Sequence, residues 1–259
     1  MAALTAKQIG AFETGDLAVL TTNQIGAISA DQVTGLTTAQ IVALGTNQIA
    51  GLTAAQLGKL SSAQINAFED VDLKKLNTAQ IGALGAAALS GVTTAQITNI
   101  GTDQIAGLTA TQIKAMTTAQ IKALTSDQVS ALNSTQIGAL SSAQIAALDT
   151  VDLAALNTAQ IGAISATSVS GLSTAQIVSL GTNQIAGLTA AQLGKLSSTQ
   201  INAMETRDLN QLSTTQIAAL SAAALSGVTT TQIAAIGTSL LQGLSASQVK
   251  ALTTSQIVN

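Results

Sequence analysis

The chain has 259 residues, 47% of them apolar, yet only two Phe and neither Trp nor Tyr. Nine Lys and Arg against twelve Asp and Glu leave a net charge of −3, without the basic clusters and stacking aromatics that nucleic-acid binding needs. Cys and His are both absent, which removes disulfides, thiolate metal sites and the usual base for a Ser or Thr nucleophile, so no enzymatic chemistry is expected.

The N-terminal Met1-Ala2-Ala3-Leu4 lacks the basic and long apolar regions of a signal peptide. From Leu4 to Asn259 an eight-residue period then runs without a phase shift, giving 32 octads. A fixed short period marks a repeat architecture, in which each unit buries its apolar face only against its neighbours. Thr, Ser or Gln interrupts every apolar run, so none approaches the ~18 residues of a membrane span. Residues 1–259 are read as one continuous array without a linker: Pro is absent and the 21 Gly stay in register. The array begins and ends in mid-pattern, as a segment of a longer one would.

The octad reads Leu, Ser/Thr, x, x, Gln, Ile, x, Ala/Gly, with Leu36-Thr37-Thr38-Ala39-Gln40-Ile41-Val42-Ala43 as a clean copy. Position one is apolar and position six is Ile, Leu or Val in all 32 octads. Ser or Thr followed three residues later by Gln is the capping box that opens a helix. With Thr37 as N-cap, Leu36 and Ile41 form the hydrophobic staple, and Ile41 and Leu44 share a helix face. Gly45 then supplies the next N-cap, so the pattern predicts one very short helix per octad, ended by the start of the next. Such helices are unstable alone, and stacking must sustain them. The expected fold is an all-α solenoid, a superhelix of very short helices. The alternative is a β-solenoid with 16-residue coils, with Gln ladders between coils. Against it, Leu at one and Ile at six would point to opposite faces of one strand, and Ala is abundant. The Gln column is most simply the capping-box partner, with inter-turn Gln ladders possible in addition.

Further along, the octads vary in a second, longer pattern. Residues 35–107 return closely at 171–243, a shift of 136 that points to internal duplication. Four octads carry an acid pair: Glu13 and Asp16, Glu69 and Asp72, Asp149 and Asp152, Glu205 and Asp208. Their spacings of 56, 80 and 56 residues would stack them in one column if a superhelical turn held ~3.4 octads. Paired carboxylates are candidate oxygen ligands for Ca²⁺, the one cofactor the sequence suggests. The competing explanation is that acids in the first turn favour the helix dipole and that Asp can stand in for Gln in the box. No catalytic residue and no other cofactor-binding residue is assigned. Lys59, Lys75 and Lys195 take position eight, where Ala or Gly is usual, and are expected to reach solvent. The repeated Thr-Thr pairs suggest an ice-binding surface, although one Thr of each pair is already committed as N-cap.

The Leu-Thr-Thr-Ala-Gln-Ile pattern, as at 36–41, and its Met116 variant at 116–121, resembles octad arrays of very large bacterial surface or secreted proteins of the adhesin-like type. The resemblance implies an extracellular or cell-surface location and a rod, stalk or self-assembling filament, whose main partner is itself, head-to-tail or laterally. A binding module with an adhesive face for protein, glycan or Ca²⁺ is the second class it implies. Haem binding, which some such proteins carry in their description, lacks ligands here.

Overall fold

A computed structural model describes residues 3–258. Among these, the chain forms 29 α-helices of four to six residues, three 3-10 turns at Gln32–Gly35, Ala88–Gly91 and Val169–Gly171, and no strand. The fold is the all-α solenoid of very short helices, and the 16-residue β-coil is set aside. The physical reason lies in the octad's first five residues, which form a working helix start almost everywhere.

The helix Thr118–Lys122 shows the plan. Thr117 is its N-cap with extended backbone, φ −71° and ψ 158°. The Gln120 amide N–H donates to Thr117 Oγ1 at 3.2 Å, and the Thr117 N–H donates to Gln120 Oε1 at 2.8 Å. The preceding helix, Ala110–Ala115, ends because Met116 turns extended, with φ −62° and ψ 141°. Two consecutive extended residues, at positions one and two, thus end one helix and aim the next. No described residue has positive φ, so the left-handed glycine stop that closes many helices is not used here. Where Gly45, Gly101 and Gly181 are the N-caps, only the glutamine half of the box remains, as in Gly45 N–H to Gln48 Oε1 at 2.8 Å.

The chain divides into two compact units, Met1–Leu132 and Asn133–Asn259. The helices Ser126–Ala131 and Ser134–Ala139 keep the octad spacing across that boundary. In each unit the core is built from positions one and six. Ile81, Leu84, Ile113 and Met116 are buried in the first unit, and Ile161, Ile164, Ile185 and Leu188 in the second. Two aliphatic side chains per octad contribute ~1.5 to 3 kcal/mol each when buried. Ordering eight residues of backbone costs more than that, so an octad holds its shape only within a stack.

Adjoining turns approach closely. A Cβ built on Gly91 would lie 2.0 Å from the Ser62 carbonyl oxygen, and one on Gly171 would lie 2.2 Å from that of Ser142. Both glycines therefore stand where only hydrogen fits. Gly82 faces the carbonyl of Gly107, while Gln112 reaches back 31 residues to Ile81. A turn thus holds between three and four octads, a non-integral number that staggers each helix over two below it. Two 28-residue registers make the 56 residues that separate Asp16 from Asp72 in the first unit and Asp152 from Asp208 in the second. Each pair stands two turns apart.

Candidate functional site

The functional centre of the octad is position five. Its glutamine is buried, as with Gln56, Gln112 and Gln120 in the first unit and Gln176 and Gln192 in the second. Burying a primary amide is costly unless all its groups are paired. The stack pairs them. Gln112 Oε1 accepts from Thr109 N–H at 2.6 Å, while its Nε2 donates to the carbonyls of Ile81 at 2.9 Å and Leu84 at 2.8 Å, one turn earlier. Gln192 repeats this with Thr189, Ile161 and Ile164. One end of the amide starts its own helix, and the other ends the helix below. The carbonyls it reaches are those of positions six and one; the first, as at Ile81, also accepts the Leu84 N–H, whereas the second, as at Leu84, has no other donor among the described residues.

Of the two roles, the capping box was legible in the spacing, and the inter-turn ladder stood only as an added possibility. The signal for the second role was the absence of Glu from position five throughout the chain. Glu serves the capping box as well as Gln does. It cannot donate to a carbonyl, as the ladder requires; Asp, which cannot donate either, takes the position in four octads and at Asp72 and Asp208 serves the capping half of the amide's work. Ser168 makes the same point in the second unit: its hydroxyl donates to the Leu140 carbonyl, 28 residues earlier, at 2.7 Å. A short donor has replaced a long one at the same acceptor.

The acid pairs separate into an outer and an inner member. Glu13, Glu69, Asp149 and Glu205 are N-caps with exposed side chains. Asp16 is exposed as well, whereas Asp72, Asp152 and Asp208 are buried. Asp72 and Asp208 accept the N-cap amide in place of Gln, from Glu69 N–H at 2.9 Å and Glu205 N–H at 3.0 Å. Asp208 Oδ1 also accepts from the Thr182 hydroxyl at 2.8 Å. Asp72 Oδ1 is fully buried without a hydrogen-bond partner. Among the described residues no group of three or more Asp or Glu converges as a metal cluster would.

Each of the six stretches 9–46, 65–102, 97–134, 112–142, 145–182 and 201–238 matches the ALTTAQ repeat, and together they take in well over half of the residues. The chain belongs to the ALTTAQ repeat family. No curated protein matches it. Gly35-Leu36-Thr37-Thr38-Ala39-Gln40 lies within one residue of the six-letter motif. Read through the structure, the Leu of that ALTTAQ motif is the staple residue before the N-cap, its first Thr is the cap and its Gln is the ladder amide. The second Thr, as at Thr38, is exposed at the first helical position.

Outside position five, Lys59, Lys75 and Lys195 are exposed, as their place in the octad predicted. Lys59 pairs with Asp31 across 28 residues at 3.3 Å. Both partners are well solvated, and such a pair contributes little. No helix among the described residues is long and apolar enough to cross a membrane.

Proposed function

We propose that this ALTTAQ array is a structural repeat module of a bacterial cell-surface or secreted protein, a spacer whose reach is set by its number of octads. The inter-turn glutamine ladder is the observation that supports this. It makes every turn the template for the next, with acceptors offered on one side and donors on the other. Such a stack has no intrinsic closing point, unlike a globular core. The residue inventory supports a scaffold over an enzyme.

Chains lengthened or shortened by 56 residues test the reading by small-angle scattering. The maximum dimension of a spacer changes in proportion to the octads added or removed. A dimension that grows only as the cube root of mass overturns it.

Self-association, head-to-tail, is the second reading. Among the described residues, the side-chain nitrogens of Gln8 and Gln24, in the first turn of the first unit, donate to no carbonyl. Heterologous contacts of this kind do not close and so build fibres. Sedimentation velocity at rising protein concentration should then show a growing series of species, lost in a Gln8→Ala, Gln24→Ala double variant. A single monomeric boundary at every concentration refutes it.

A further inference from the structure

Among the rungs of the first unit that lack glutamine, Asp72 is a buried one that carries a charge. Asp72 occupies position five, 2% exposed, and takes over only half of the amide's work. Its Oδ2 accepts the Glu69 N–H, while Oδ1 is buried without a hydrogen-bond partner, and the carboxylate has no counterpart to a glutamine's NH₂ group. The ladder register assigns that group the carbonyl 28 residues earlier, here Leu44, as Gln64 reaches Leu36 at 2.8 Å and Gln80 reaches Leu52 at 2.7 Å. Among the described residues, none donates a hydrogen bond to the Leu44 carbonyl. Two acceptors of one rung, Asp72 Oδ1 and the Leu44 carbonyl, are thus left without a donor, which is costly inside a protein unless something positive serves both.

The 136-residue repeat supplies the comparison. At Asp208 the Thr182 hydroxyl donates to Oδ1 at 2.8 Å and relieves the same conflict. Its counterpart, Thr46, makes no such bond to Asp72. Thr46 is half-buried and borders an open groove with Gly45 and Asn47. Glu69 and Asp70 add negative charge at the start of the same helix, with Lys74 and Lys75 at its far end.

We propose that the Asp72 position binds a Ca²⁺ ion between the Asp72 carboxylate and the main-chain carbonyl of Leu44, with the Thr46 hydroxyl completing the protein side. The donors are all hard oxygens of mixed type, which suits Ca²⁺ with its flexible coordination and retained waters. Mg²⁺ demands a near-regular octahedron and gives up water reluctantly, so it suits the position less well. The ion stands in for the missing NH₂ group and ties the helix Asp70–Lys75 to the turn below.

Calorimetric titration of the EDTA-treated full chain with CaCl₂, together with its melting temperature with and without Ca²⁺, tests this. The expected result is a single Ca²⁺ site and a raised melting temperature. Asp72→Gln, which restores the rung, should fold, match or exceed the parent's stability in EDTA, and bind Ca²⁺ at least tenfold more weakly. Asp72→Asn serves as a second variant, and Asp208→Gln should leave the Ca²⁺ response unchanged. Absence of binding to the parent, or binding that survives Asp72→Gln, overturns the proposal. An equal response to Mg²⁺ or K⁺ overturns the assignment to Ca²⁺. Destabilisation by Thr46→Val without any cation response shows that the Thr46 hydroxyl fills the gap, and overturns it too.

Discussion

Replacing Gln112 by Met keeps the length of the side chain and deletes all three of its hydrogen bonds. Their lengths are 2.6, 2.9 and 2.8 Å, and the residue is 2% exposed. The Ile81 carbonyl keeps a partner, since it also accepts from Leu84 N–H at 3.2 Å. The Thr109 N–H and the Leu84 carbonyl are left bare. A buried polar group stranded in this way costs ~1 to 3 kcal/mol, so Gln112→Met should destabilise the first unit by ~2 to 6 kcal/mol. Gln112→Glu keeps the bond from Thr109 but sets a carboxylate against two carbonyl oxygens, and should cost at least as much. Urea unfolding followed by far-ultraviolet circular dichroism measures both, with the exposed Thr111→Ala as control. Hydrogen exchange provides a local readout, because the Thr109 amide should lose its protection in the Met variant. A loss below ~1 kcal/mol for Gln112→Met, no larger than for the control, would refute the ladder as a source of stability.

Three other substitutions probe separate parts of the octad. Gly91→Ala forces a methyl group against the Ser62 carbonyl and should cost ~1 to 3 kcal/mol, seen as a lowered thermal midpoint; an unchanged midpoint would mean the turns are not this close. Ile113→Ala empties a fully buried position six and should cost ~2 to 5 kcal/mol in the same assay, whereas a value near that of a surface change would contradict its place in the core. Thr117→Ala removes a helix cap for ~1 kcal/mol, while Thr118→Ala, one residue on, should stay within ~0.5 kcal/mol; equal effects would remove the case for the capping box.

The fold was legible because two local rules repeat in the same phase. Thr37 with Gln40 opens a helix, and Gly45 opens the next before the first can lengthen. The aliphatic pair Leu36 and Ile41 told which side is inside. The candidate site was less legible. Glu69 and Asp72 look alike as acids three residues apart, yet one is an exposed cap and the other is a buried rung. Burial at position five depends on the turn above and the turn below, and neither is visible in an isolated octad. Ser168 was equally silent, since a serine in place of Gln reads as a lapse until its hydroxyl is seen on Leu140.

By itself, the sequence settled what each octad does: where its helix starts, why it stops, and which two side chains it buries. These are interactions within eight or nine residues, so spacing is enough to read them. The tertiary structure decided how octads meet. A turn of between three and four octads sets the pairing of residues 28 and 31 apart, and that pairing gives the glutamine amide its second set of partners. The number of octads per turn follows from the packing of Leu and Ile layers and the approach of glycines such as Gly91 to the neighbouring backbone. That balance is struck between residues far apart in the chain, and no single repeat contains it.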